Sequence, residues 1–555
     1  MKKLLGLLLT LVLLLGCASA EEAAAPAMQK DLVILYTSDV HCGIDQNWGY
    51  ATLDAMKKQY AKDNYVLLVD DGDAIQGEPV GTMTTGEAII DIMNAVGYDI
   101  VIPGNHDYDY GMDRFLELTQ KANFPYISCN FNKEGELVFD PYIIKEFDGV
   151  KVAFVGVTTP MTLRTSTPKY FMNEQGEFIY GFLEEDNTGA KLYSAVQKAV
   201  DDARAEGANY VILMAHLGNE DECSPWRYDQ VIENTSGIDV VLDGHSHDLD
   251  QTTVKNKDGV DVPRSAVGTK LNSIGVLTIS KDGKISLAPI DCTAKPSVPA
   301  QIGLENEGSK AVAAATGKLD GKLKEVVAKT SVDLIINDPE VRTDDDKPIR
   351  IIRKAETNFG DLCADAYREQ AGNADIGFIN GGAIRVQLDA GDITLGDILT
   401  VHPFGNYLTV IEVTGQQVLD ALEWSVHALP GEFGGFLQVS GITFEYDATI
   451  ESPVVQDDRT MFDHIDETKE RRVRNVKVGG EDLDPAKTYT LASVGYQLLN
   501  NGDGYTMYEG CQVLQDNVKL DNQVLIDYLT KTLGGVVGEG YDNPYGQGRI
   551  VSVQE

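Results

Sequence analysis

Five short motifs gather the residue types that bind divalent cations. His41 lies in Ser38-Asp39-Val40-His41, and Asp73 in Asp71-Gly72-Asp73. Asn105 and His106 lie in Gly104-Asn105-His106-Asp107, and His216 in Ala215-His216-Leu217. His245 and His247 share Asp243-Gly244-His245-Ser246-His247. Together they hold every histidine of the first 400 residues. Neutral imidazoles, carboxylates and an amide oxygen suit zinc, manganese or cobalt. Two such ions about 3.5–4 Å apart neutralise a phosphoryl group and supply a nucleophile at neutral pH, so the chemistry implied is metal-assisted hydrolysis. Any one of these histidines alone reads equally well as a hydrogen-bonded core residue; the set does not. Ser246 is set aside as a nucleophile, because Asp248 replaces the last glycine of Gly-x-Ser-x-Gly. Asp70 and Asp71 read as solvated or supporting carboxylates, and Cys42 as a small packing residue.

Each motif directly follows a short apolar run rich in β-branched residues, at 32–36, 65–69, 99–102, 210–214 and 238–242. Helical patterns at 51–61, 87–95 and 191–206 alternate with them. Runs of this kind predict strands buried on both faces of a layered α/β fold. Ligands of such folds collect outside the carboxyl ends of the strands, where all five motifs lie.

The order Asp-x-His, Gly-Asp, Gly-Asn-His-Asp, lone His and Gly-His-x-His resembles the calcineurin-like metallophosphatases. The second half extends the likeness through Thr357-Asn358-Phe359-Gly360-Asp361-Leu362, Asn380-Gly381-Gly382-Ala383-Ile384-Arg385, Pro403-Phe404-Gly405-Asn406 and Asn501-Gly502-Asp503-Gly504-Tyr505. The closer resemblance is therefore to the bacterial 5′-nucleotidase and UDP-sugar hydrolase family, over residues 30–553. It implies an N-terminal four-layer α/β-β/α metallophosphatase domain with a C-terminal α+β 5′-nucleotidase domain. It also implies two divalent ions (zinc, manganese or cobalt), one on Asp39, His41, Asp73 and His247. The other would take Asp73, Asn105, His216 and His245, with Asp73 as the bridge. His106 and Asp109 would form the catalytic pair. Arg353 and Arg385 would meet phosphate, Phe404 and Tyr496 the base faces, Asn406 the base edge and Asp503 the ribose. The pattern is departed from twice: Ile349, beside Arg350, stands where the family often has an arginine, and Gln497 stands where a second stacking aromatic is usual. The implied activity is removal of phosphate from nucleoside 5′-monophosphates, with nucleoside diphosphate sugars as further substrates. A 2′,3′-cyclic-nucleotide phosphodiesterase with 3′-nucleotidase activity and a non-catalytic surface binding protein are the alternatives.

The 555 residues exceed what one core needs, which predicts at least two domains. A net charge of −40 opposes binding to nucleic-acid polymers and means that a phosphate site must gather positive charge locally. Lys2 and Lys3 precede the apolar run 4–15, which is too short for a permanent membrane span. Leu14-Leu15-Gly16-Cys17 resembles a lipobox, so residues 1–17 read as a signal peptide. Cys17 would be the lipid anchor of an exported cell-surface or periplasmic protein, with 18–30 as a tether; cleavage after Ala20 is the other possibility. The remaining six cysteines are scattered without a C-x-x-C pair. The expected boundaries are 31–295 for the metallophosphatase domain, 296–335 for a helical linker centred on 304–328, and 336–555 for substrate recognition. Oligomeric state is not legible.

Overall fold

The computed structural model describes residues 27–553 except 45, 174, 185–187, 293–303, 318–319, 344–346, 517 and 539. The signal peptide, Cys17 and most of the tether lie outside the described residues, as does part of the expected linker.

The N-terminal unit is two sheets packed face to face with helices outside. In the first, Leu32–Thr37 runs parallel to Tyr65–Asp70, which runs parallel to Ile100–Val101, while Ser273–Ile279 pairs antiparallel with Leu32–Thr37. In the second, Val150–Thr158, Tyr210–His216, Val240–Asp243 and Asp261–Val267 are parallel neighbours, with Tyr142–Phe147 and Leu249–Lys255 antiparallel at the edges. The apolar runs are continuous because both faces of each strand are covered. Leu32, Ile34 and Tyr36 point into the core between the sheets with Phe154, Ile212 and Met214. Val33 and Leu35 point the other way, towards the helix Gly49–Tyr60 and its neighbours. Val211, Leu213 and Ala215 likewise face the helix Ala190–Ala205. The order helix, sheet, sheet, helix is the four-layer arrangement expected.

The expected linker helix over 304–328 differs from the structure. Among the described residues a helix spans Glu307–Thr316, where Ala311 and Val312 lean on the N-terminal core, and a separate short helix spans Asp320–Leu323. Val326 and Val327 lie instead in the strand Val326–Thr330, paired with Gly391–Thr394 and Val536–Val537. Gly317 ends the first helix, and the β-branched pair fits a pleated surface.

The C-terminal unit is built on a sheet in the order Leu437–Ser440, Ile376–Asn380, Thr488–Val494, Leu408–Thr414, Gln512–Gln515. Separate cores fill its two faces, one including Phe359 and Leu362 of the helix Asn358–Gln370, the other Leu422 and Trp424 of the helix Gly415–Ser425. Thr357 caps the first of these helices by accepting from the Gly360 amide at 3.0 Å. All six described cysteines are free, and no helix among the described residues is long and apolar enough to cross a membrane.

Candidate metal centre and cleft

The parallel strands of both sheets end at one edge of the N-terminal unit, and the five motifs meet there. Asp39, His41 and His247 form one group of ligand atoms, and Asp73, His216 and His245 a second, each within 4.8 Å. Asp73 Oδ2 lies 3.1 Å from His216 Nε2 and 3.8 Å from His41 Nε2, so one carboxylate oxygen stands between the groups. Asn105 Oδ1 joins the second group, 3.3 Å from His216 Nε2 and 2.8 Å from His245 Nδ1. Asp39 Oδ1 is 3.6 Å from His247 Nε2. All seven expected ligands are thus brought together.

The donor set fits divalent cations. Backbone carbonyls can only accept, so Nδ1–H of His41 donates to Gln76 O at 2.9 Å and Nδ1–H of His216 to Asp71 O at 2.7 Å. Each Nε2 lone pair is then directed inwards. His41 Nε2 faces His247 Nε2 at 3.0 Å, a contact that a cation between them makes favourable. Burial pushes Asp39 up to about 7 and the imidazoles of His41 and His245 down to about 3. Burial also works to lower His216, but the carboxylates of Asp73 and Asp39 outweigh it and push that imidazole up to about 10. The carboxylates of Asp73 and Asp39 thus favour positive charge beside His216.

The backbone is strained to achieve this. Asp39, His41, Asp73, His245 and His247 all have positive φ, between 44° and 83°. For non-glycine residues that costs on the order of 1 kcal/mol or more each, and it persists only where the surroundings enforce it. Asp107, which has no role in the sequence reading, is one enforcer: Oδ2 accepts from the Gly104 amide at 2.7 Å and the Asp73 amide at 3.0 Å. Glycines make room where ligands crowd. A Cβ at Gly104 would sit 2.2 Å from Asp73 Oδ1, and one at Gly244 2.7 Å from Asp39 Oδ2.

His106 stands apart from both groups. Its amide donates to Asp73 Oδ1 at 2.7 Å, while its Nδ1 is 2.7 Å from Asp109 Oδ2. Ser166 Oγ donates to the other Asp109 oxygen at 2.8 Å, fixing the carboxylate. Burial raises Asp109 despite the neighbouring imidazole. Such a pair can orient an imidazole for proton transfer.

The two ligand groups open onto a cleft between the two units. From the C-terminal unit, Arg353, Arg385, Phe404, Asn406, Tyr496 and Asp503 all line it. The Arg385 guanidinium lies 5.6 Å from the centre of the Phe404 ring, and that ring is 5.7 Å from His106. Burial, then Arg353 and Arg350, lowers Arg385 to about 10, so three like charges are held together facing the cleft. Burial raises Asp503 to about 6, and Asn380 Nδ2 donates to its Oδ2 at 2.7 Å. Tyr496 lines the cavity and also contacts the turn that carries Asp503. Its ring lies against Gly502, its hydroxyl accepts from the Asp503 amide at 3.0 Å, and that hydroxyl is 2.8 Å from Arg164 O.

Several lining residues are missing from the sequence reading. Arg350 pairs with Glu432 at 2.6 Å and with Glu220 of the N-terminal unit, lining the cleft one residue from the arginine position that Ile349 leaves vacant in the motif. Phe433, Arg164 and Tyr170 also line it. Asn380 sits inside a motif already singled out and Arg350 beside a vacant motif position, while Phe433, Arg164 and Tyr170 carry no local signal.

Comparison with known proteins supplies the family. The calcineurin-like phosphoesterases match residues 32–249, and the 5′-nucleotidase C-terminal domain matches residues 326–510. The chain is 28% identical to the trifunctional nucleotide phosphoesterase protein YfkN of Bacillus subtilis, over 94% of its own length but only 35% of that protein. It is 25% identical to the 5′-nucleotidase of Vibrio vulnificus, covering 94% of each. The crystal structure of a 5′-nucleotidase precursor from Thermus thermophilus superposes with a TM-score of 0.75 at 25% identity, covering 95% of this chain and all of that one.

Gly104→Ala should displace Asp73 and cost both ion sites at once, because the added Cβ meets a carboxylate hydrogen-bonded to the His106 amide. Metal content measured on the folded protein should fall by well over half; two ions retained at full occupancy would contradict the placement of Asp73.

Proposed function

The chain belongs to the 5′-nucleotidase family that joins a calcineurin-like phosphoesterase domain to a 5′-nucleotidase C-terminal domain, and from that premise we propose that it removes phosphate from nucleoside 5′-monophosphates. The observation that carries the reading is the shared cavity: metal-ligand groups on one wall, and Arg353, Arg385, Phe404 and Asp503 on the other. Two divalent cations (zinc, manganese or cobalt) would supply the charge neutralisation and the nucleophile for ester hydrolysis. Asp39, His41, Asp73 and His247 would hold the first, and Asp73, Asn105, His216 and His245 the second.

The remaining side chains bind, orient and move protons. Arg353 and Arg385 grip phosphate, which reduces the mutual repulsion of the arginines, and guanidinium matches phosphate geometry. Phe404 offers a stacking face to the base, Asn406 its amide to the base edge, and Asp503 accepts from ribose hydroxyls. Tyr496 holds the Asp503 loop in place. His106, oriented by Asp109, delivers a proton to the leaving oxygen and stabilises charge there. Clustering cations in the cleft lets a protein of net charge −40 attract an anionic substrate. The protein is exported and held at the membrane by lipid on Cys17, a reading supported by the apolar run that ends in Leu-Leu-Gly-Cys.

The test is phosphate release from AMP, with nucleoside diphosphate sugars and 2′,3′-cyclic nucleotides assayed beside it. Exhaustive chelation should abolish activity, and Mn²⁺, Co²⁺ or Zn²⁺ should restore it; full activity in protein proven metal-free would sink the mechanism. His106→Ala should keep near-normal metal content while turnover drops by about 10²–10⁴-fold. Loss of metal in that variant would mean that His106 is a ligand. Radiolabelled fatty acid should mark the wild type and not Cys17→Ser; equal release of both into the medium would favour cleavage after Ala20.

A further inference from the structure

Arg264 has no place in the chemistry above, yet it makes five side-chain hydrogen bonds, all to carboxylates. It lies on the strand Asp261–Val267, opposite Val241 of the strand that leads into His245 and His247. The residue is fully buried, and its guanidinium centre sits 4.2 Å from the centre of the Tyr228 ring. Nη2 and Nε donate to Asp243 Oδ2 at 2.8 and 3.2 Å. Nη1 and Nη2 donate to the two oxygens of Asp248 at 2.8 and 3.3 Å, and Nη1 reaches Asp250 at 3.4 Å. Asp243 and Asp248 bracket the four residues Gly244, His245, Ser246 and His247. One planar fork therefore ties down both ends of the loop that carries two ligands.

The tie extends to a third ligand. Asp243 Oδ1 accepts from the Leu217 amide at 3.0 Å and the Gly218 amide at 3.4 Å, directly after His216. Within the loop, His245 and His247 have φ of 83° and 55°. A loop strained in this way relaxes unless its ends are fixed. A buried arginine paired with two carboxylates is an expensive way to gain stability, since desolvation cancels much of the attraction, but its geometry is exacting. We propose that Arg264 is a positioning residue for the metal centre, setting His216, His245 and His247 at their binding spacing through Asp243 and Asp248. A lysine keeps the charge but cannot reproduce the fork to both carboxylates.

The proposal rests on the metal-centre reading. The measurement is divalent-cation affinity of the full chain, by competition of Zn²⁺ or Mn²⁺ against a chromophoric chelator, beside the melting temperature of metal-free protein. Folded Arg264→Lys should bind cation about 10–100-fold more weakly, as supporting residues around metals typically do. Its turnover of p-nitrophenyl phosphate should recover towards wild type at saturating Mn²⁺. Should that variant fail to fold, Asp248→Asn, which keeps Asp243 paired, makes the same comparison. Wild-type affinity in a folded variant would overturn the proposal, whatever the melting temperature. A wild-type chain that binds no divalent cation would instead overturn the metal-centre reading, and the proposal with it.

Discussion

The fold of the N-terminal unit is organised around two buried carboxylates, Asp39 and Asp73, that have imidazoles where other proteins have solvent. Burying a carboxylate is unfavourable unless positive charge is supplied, and here it must be supplied at a point reached from five separate strand ends. That need explains the features that look costly alone: positive φ at five ligands, glycines at 104 and 244, and amides spent on Asp107 and Asp73 oxygens. The sheets can sustain the strain because their strands are pinned on both faces by apolar cores.

The second unit solves a complementary problem. A surface with 40 excess negative charges repels a phosphate ester, so cations must be concentrated where the ester reacts. Arg350, Arg353 and Arg385 do this, and Glu220 and Glu432 temper their repulsion: burial works to raise Glu220, yet Arg350 and Arg353 hold it below its ordinary range. The ion pair between Arg350 and Glu220 crosses from one unit to the other. So do Thr82 Oγ to Pro403 O at 2.9 Å and Tyr496 to the Arg164 carbonyl. Polar contacts thus cross between the units around the cleft, and Met461 of the C-terminal unit adds an apolar one by packing into the N-terminal core.

The amino-acid sequence by itself determined which residues meet at the candidate metal centre. Each ligand directly follows a strand whose apolar run is unmistakable, and parallel strands necessarily place their carboxyl ends at one edge, so order along the chain translates into proximity. The His106–Asp109 pair is equally local, its partners three residues apart. Tertiary structure alone decided what depends on packing between distant segments. Arg350, Phe433 and Arg164 line the cleft through the docking of the two units, for which no spacing rule exists. The Tyr496 ring lies against the turn because Gly502 has no side chain to keep it away. Residues 326–330 became a strand because partners from 391–394 and 536–537 were available to pair with them, and that long-range choice outweighed a helical pattern visible only locally.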